Sequence, residues 1–294
     1  IGLVHLMLRQ DDSAESYFEE AINLFQLVGD KRAQGNALGN LGNSHINQGS
    51  VSRGRECYQQ ALDIASEMGD RRGECNTLGN LGNIYLDSDP KKAIIYYKGQ
   101  LKIAGDIGDR RGEGNALGNS GIAYVKLGKT QEAIDCYEKQ LEISRQLGDR
   151  RSEAITLGNL AILHTDLGKL DQALELHNKQ LMIAEAIGDE HNAAHAKGSM
   201  GVVYHRLGDA KAAVGCLTQA LEVYTKLGDE SSVGIEKYNL ALALQQTDKR
   251  QEAIDHVTEA IEILEAMQNP NVVKAYTLLK VLRDRQEQEA VSGQ

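Results

Sequence analysis

Residues 69–82 read GDRRGECNTLGNLG, and close copies of this stretch recur along the chain. Its leading Gly-Asp pair falls at Gly29, Gly69, Gly108, Gly148, Gly188 and Gly228, at spacings of 40, 39, 40, 40 and 40 residues. A fixed period in this range marks a solenoid, in which one supersecondary unit stacks on copies of itself. Function is then expected on the surface that stacking creates.

The local signals divide each period into two helices. The Asp of each pair is a good N-cap for the helix that follows, and the Gly before it suits the C′ position of the helix that ends there. This predicts a first helix (A) from about Lys31 to Asn47, a polar turn at 48–50, and a second helix (B) from about Val51 to Met68. Tyr58, Ala61, Leu62 and Ala65 give helix B its apolar spacing of three and four residues. The second period shortens its A-to-B turn to DSDP, where Pro90 fits the first turn of helix B and accounts for the single 39-residue spacing. The expected layout is a partial unit at 1–29, full units at 30–69, 70–108, 109–148, 149–188, 189–228 and 229–268, and a capping helix at 270–288 with a polar tail. All of it is read as one array.

Composition agrees with an all-α chain. The 294 residues include no Trp and two Pro, and 25% of them are charged. A formal charge of −10 opposes general attraction to nucleic acid or to anionic lipid, so neither partner is expected. No apolar run reaches the length that spans a membrane. The opening IGLVHLML aligns one period before LGNSHINQ and reads as the end of a helix, not a signal peptide. Because Ile1 falls inside a repeat, a piece of a larger protein is expected. Cys57, Cys136 and Cys216 share one repeat position two periods apart, so with Cys75 they are expected to be free, reduced thiols in a cytoplasmic setting.

Leu41-Gly42, His45, Gly54, Tyr58 and Ala61 together resemble the tetratricopeptide repeat, in which a Leu-Gly and an aromatic of helix A pack on a small residue, an aromatic and an Ala of helix B. Small residues recur in pairs across the helices, from Gly2 and Ala14 through Gly42 and Gly54 to Ala241 and Ala253, which lets two helices approach closely in every unit. The period of 40, Leu38 and Leu78 in place of the usual helix A Trp, and Gly-Asp in place of the inter-repeat Pro depart from the common form. This longer type is similar to the arrays of Pins/LGN-type G-protein-signalling modulators and of bacterial signalling proteins. The resemblance implies a right-handed α-α superhelix whose A helices line a concave surface, and, in the modulators, a surface that binds extended peptide segments.

Arg32, Asn36, Gly39, Asn40 and Asn43 lie on one helical stripe, repeated as Arg72, Asn76, Gly79, Asn80 and Asn83. The third unit carries Arg111, Asn115, Gly118 and Asn119, and the fourth Arg151, Gly158 and Asn159. Arg71, Arg110 and Arg150 are expected to pair with Glu74, Glu113 and Glu153, each worth roughly 0.2–0.5 kcal/mol. Arg32, Arg72, Arg111 and Arg151 have no such neighbour and read as a positive rail beside asparagines that donate to and accept from a peptide backbone. Stacking or solvation is the competing explanation for these asparagines. The interior glycines from Gly39 to Gly198 each cost about 1 kcal/mol against Ala, a cost assigned to close packing of adjacent A helices, with room for a ligand backbone as the alternative. Gln100, Gln140 and Gln180 replace an Ala of helix B and are expected to bridge adjacent repeats.

Catalytic signals are weak. Gly128-Lys129-Thr130 resembles the end of a phosphate loop, but Ala stands at 123 where that motif needs Gly, and no strand precedes it. His191 and His195 are read as surface histidines, without the Glu or third ligand of a zinc site. The chaperone-tail type of clamp is disfavoured because Gly39 and Gly79 stand where it uses Lys. The sequence therefore reads as a non-enzymatic protein-interaction module without cofactor or metal, for an extended, acidic peptide. The alternative is the sensor arm of a larger signalling ATPase or protease.

Overall fold

The computed structural model describes residues 11–292. Readings that fall on Gly2, His5 and the rest of the opening run lie outside the described residues. The described residues form fourteen α-helices and no strand. The chain divides into two compact units, Ile1–Gly148 and Asp149–Gln294.

In the N-terminal unit α1 (Asp11–Val28) is followed by three A/B hairpins. They are α2 (Lys31–Asn47) with α3 (Val51–Glu67), α4 (Arg71–Tyr85) with α5 (Pro90–Asp106), and α6 (Arg110–Lys126) with α7 (Thr130–Leu147). The C-terminal unit repeats the plan in α8 (Arg150–Asp166) with α9 (Leu170–Ala186), α10 (Glu190–Leu207) with α11 (Ala210–Leu227), and α12 (Glu230–Leu244) with α13 (Arg250–Ala266). It closes with α14 (Val272–Ser292). Within each unit successive helices pack in chain order, and successive A helices also touch one another.

The Gly-Asp junction shows why the period is kept. Gly69 takes a left-handed φ of 63°, which an L side chain rarely adopts. Its N–H donates to Ser66 O at 3.1 Å while the Asp70 N–H donates to Ala65 O at 2.8 Å, a Schellman closure of α3. The Asp70 carboxylate then accepts from Gly73 N at 3.1 Å and opens α4. One dipeptide ends a helix and begins the next. At the shortened turn the same work falls to Asp89, which accepts from Lys92 N at 3.1 Å with Pro90 in the first turn.

Inside each hairpin the small residues set the helix separation. A Cβ built on Gly42, Gly82 or Gly121 would run into the ring of Tyr58, Tyr97 or Tyr137, and one on Gly54 would lie 3.1 Å from Gly42 O. The last hairpin is sealed by α14, whose Ala275, Leu278, Leu279 and Leu282 join Val257, Ile261 and Leu264 in one apolar cluster. Among the described residues no helix is long and apolar enough to cross a membrane.

Candidate functional site

In the N-terminal unit α2, α4 and α6 each turn a polar stripe toward a cavity of about 490 Å³. Asn36, Asn40 and Asn43 come from α2, Asn76, Asn80 and Asn83 from α4, and Asn115 and Asn119 from α6. Their three- and four-residue spacing puts each set on one helix face.

The asparagines are of two kinds. Asn43 Oδ1 accepts from the Tyr58 hydroxyl at 2.5 Å, and Asn83 Oδ1 accepts from the Tyr97 hydroxyl at 2.8 Å and from Asn119 Nδ2 at 3.3 Å. Burial pushes both phenols up to about 12, so they remain donors. These carbonyls brace helix A against helix B within each hairpin, and the bond from Asn119 to Asn83 joins two successive A helices. Asn36, Asn40, Asn76, Asn80 and Asn115 make no side-chain hydrogen bond among the described residues. Each offers two donors and an acceptor to the cavity.

The arginines divide as well. Arg32 Nε donates to Asp70 Oδ2 at 2.9 Å, so it lies at the cavity edge already paired with the N-cap of the next A helix. The hydrogen bond from Arg32, followed by that from the Gly73 N–H, holds the Asp70 carboxyl below its ordinary range. Arg151 repeats the contact in the C-terminal unit, 3.3 Å from Asp189, and His191 does so 3.2 Å from Asp229. Sequence reasoning sought partners within one turn, and these lie one repeat on. Arg72 and Arg111 are exposed, make no ion pair among the described residues and do not line the cavity. Asn159 is half-buried in the C-terminal unit. The pairs to Glu74, Glu113 and Glu153 form at 2.5 Å each.

Asp70 thus has two tasks, and its replacement tests them. Asp70→Ala is expected to lower stability by about 1 kcal/mol through the lost cap, whereas Asp70→Asn keeps a cap acceptor and returns most of it. Thermal unfolding followed by circular dichroism measures the difference.

The glycine series works differently from the expectation of close A-helix packing. A Cβ on Gly79, Gly118 or Gly158 would meet Nε2 of Gln100, Gln140 or Gln180 at 2.7, 2.6 or 2.7 Å. Each of these glutamines comes from helix B of the same hairpin, so Gln100 and Gln140 fill their own repeat and were wrongly expected to bridge. Gln180 does both, since its Nε2 also lies 3.3 Å from Nδ1 of His195. His195 is accordingly half-buried, not a surface group, while His191 is exposed. Gly198 receives Glu236 from the following A helix, and Gly39 has nothing within 4 Å of its Cβ position.

The stripe read from the sequence covers A helices alone and leaves out the helix B and cap residues that line the cavity: Ala61, Ile64, Ala65, Met68, Asp70 and Gln100. The usable signal was Ala61 standing in the register that Gln100, Gln140 and Gln180 occupy in the next three repeats. The four cysteines are free, with Cys57 and Cys75 buried.

The family model described as tetratricopeptide repeat matches residues 33–104, 112–186, 152–226 and 192–266. No curated protein matches the chain in sequence. Among solved structures, a signal transduction ATPase with numerous domains (STAND) from Pyrococcus horikoshii, which carries a tetratricopeptide repeat sensor, superposes with a TM-score of 0.74 at 17% identity, covering 90% of this chain and 41% of its own. BtubC (BKLC) from P. vanneervenii gives 0.67 at 23% identity, over 75% of this chain and 91% of its own. A Rap protein complexed with Competence and Sporulation Factor gives 0.60 at 14% identity, over 88% and 76%. At these identities the likeness concerns the fold.

Proposed function

The chain belongs to the tetratricopeptide repeat family, and on that premise we propose that its N-terminal unit binds an extended peptide segment of a protein partner. The observation that carries this reading is the set of five unpaired asparagine side chains, from three successive A helices, around one cavity. An extended strand presents a carbonyl and an N–H at every residue, and asparagine is the short side chain that answers both. The acidic character of the ligand is supported by Arg72 and Arg111, two exposed cations without an ion-pair partner among the described residues, and not by Arg32, which Asp70 already neutralises. In the N-terminal unit the residues proposed for the site are Arg32, Asn36, Asn40, Asn43, Arg72 and Asn76, continued by Asn80, Asn83, Arg111, Asn115 and Asn119; Arg151 and Asn159 are proposed separately, as the corresponding stripe of the C-terminal unit. Free thiols support a cytoplasmic setting, and the net charge of −10 supports a protein partner over nucleic acid or membrane.

Affinity capture from a lysate of the source cell, with the wild type beside an Asn76→Ala/Asn80→Ala double variant, tests the asparagines. With each lost hydrogen bond worth about 1 kcal/mol, the double variant is expected to bind the captured partner at least about 10-fold more weakly. Arg72→Glu with Arg111→Glu is expected to remove the salt sensitivity of capture. Undiminished capture by both variants would sink the reading. A second reading, the sensor arm of a larger signalling ATPase or protease, is favoured by the likeness to the STAND sensor, in which a fold of this kind makes up part of a longer chain.

A further inference from the structure

We propose that the space between Gly39 and Ala61 is a side-chain pocket, in which the bound peptide seats one apolar residue while asparagines hold its backbone on either side. The proposal rests on the peptide reading of the same cavity and states what that cavity selects.

The repeats themselves supply the argument. In the second, third and fourth hairpins the helix A glycine faces a helix B glutamine whose amide fills the gap completely, leaving no room even for a methyl group. The first hairpin keeps the glycine, Gly39, but carries Ala61 in place of the glutamine, and nothing lies within 4 Å of the Gly39 Cβ position. The fifth and sixth hairpins also carry alanine there, Ala220 and Ala260, but Glu236 lies against Gly198 in the fifth and the sixth has Tyr238 in place of the glycine, so in this register only Gly39 is left with nothing against it among the described residues. The vacated volume opens into the cavity, with Ala61, Ile64 and Ala65 as its apolar lining and Met68 beside them.

Charge narrows the occupant. The two charged side chains at the cavity, Arg32 and Asp70, neutralise each other at 2.9 Å, so a charged ligand group seated among them would lose its hydration without gaining a free counter-ion. A neutral apolar side chain carries no such cost. Gln100, which lines the same cavity and is 7% exposed, is held against Gly79 with its Oε1 buried and without a hydrogen-bond partner, so in the second hairpin it closes the space that the first leaves open. The acidic residues of the ligand then belong outside the pocket, toward Arg72 and Arg111, and the apolar one inside it.

The test uses a phage-displayed library of randomised 12-residue peptides, panned on the wild type, on Ala61→Gln and on the Asn76→Ala/Asn80→Ala variant. Ala61→Gln installs the pairing that Gly79 and Gln100 already make, and Gly39→Leu fills the same space from the other helix, so two independent variants probe the pocket. The wild type is expected to enrich peptides with one fixed aliphatic or aromatic position. A synthetic consensus peptide is expected to bind Ala61→Gln and Gly39→Leu about 10- to 100-fold more weakly, the usual worth of one buried apolar side chain. Changing its fixed residue to alanine should abolish the difference between proteins. Enrichment without a fixed apolar position, or equal binding of the consensus by wild type and both folded variants, overturns the pocket and leaves the groove standing. No enrichment on the wild type, or equal enrichment on the double asparagine variant, overturns the groove reading and the pocket with it.

Discussion

Replacing Tyr97 by alanine is expected to destabilise the N-terminal unit by about 3–5 kcal/mol, the range for removing a buried aromatic side chain. Tyr97 is fully buried, lies against Gly82 where no other side chain fits, and packs with Ala93, Ile94 and Ala123. Its hydroxyl is also a donor to Asn83, one of the cavity asparagines. Tyr97→Phe separates the two contributions: it keeps the ring and is expected to cost only about 1 kcal/mol, the net worth of a hydrogen bond. Against a total domain stability of about 5–15 kcal/mol the alanine variant should unfold this unit at far lower denaturant. Urea titration followed by circular dichroism measures both. A loss below about 1 kcal/mol for Tyr97→Ala would mean that the hairpin closes over the gap and that the glycine–tyrosine contact does not set helix separation.

The second large effect is a stabilisation, by Glu236→Gln, that appears only as pH rises. Glu236 is 8% exposed, its carboxyl lies against Gly198, and its Oε2 has no hydrogen-bond partner. Burial raises its pKa from the ordinary 4.5 to about 7, with a hydrogen bond from Asn239 acting in the opposite direction. Because the folded state holds this proton more tightly than the unfolded chain, the contribution of Glu236 is complete below pH 4.5 and is lost as pH rises to about 7. At about 1.4 kcal/mol per tenfold change in proton affinity, the variant should gain on the order of 3 kcal/mol at pH 8 and nothing at pH 4. His177 has the opposite sign: it is fully buried, and burial lowers its pKa from 6.5 to about 4. Its contribution is complete above pH 6.5 and is lost as pH falls to about 4. In the wild type the two slopes oppose one another in the C-terminal unit, and Glu236→Gln should expose the acid-side loss alone. Urea midpoints at pH 4, 6 and 8 check this, and a variant whose gain is the same at all three would remove Glu236 as a titrating group.

Features that depend on neighbours in the chain were legible in the sequence. The Gly-Asp junction, the Arg–Glu pairs three residues apart and the first A helix from Lys31 to Asn47 all follow from rules that act within a turn or two. Features that depend on a partner some 20 to 40 residues away were not. Arg32 read as a free cation because Asp70 stands 38 residues on, and Gln100 read as a bridge because its fit against Gly79 needs the helix pair to exist first. Some of this was encoded and went unread. Ala37, Thr77, Ala116, Thr156 and Ala196 occupy the register in which Glu236 stands, and one acid among small residues marks a position that must be buried. The repeat made such comparisons possible, since each position is its own control in the neighbouring units.

The Gly-Asp junction has a consequence for how arrays of this kind change length. Asp70 belongs to its own helix as a cap and to the preceding repeat as the counter-ion of Arg32. Removal of residues 70–108 would set Arg32 before Asp109, another cap of the same type, which already accepts from Gly112 N at 3.0 Å. Removal of only part of a period would instead put the arginine out of register with any such aspartate. Whole-period duplication or deletion therefore rejoins compatible ends, and each new neighbour supplies both the cap and the counter-ion that the lost one gave.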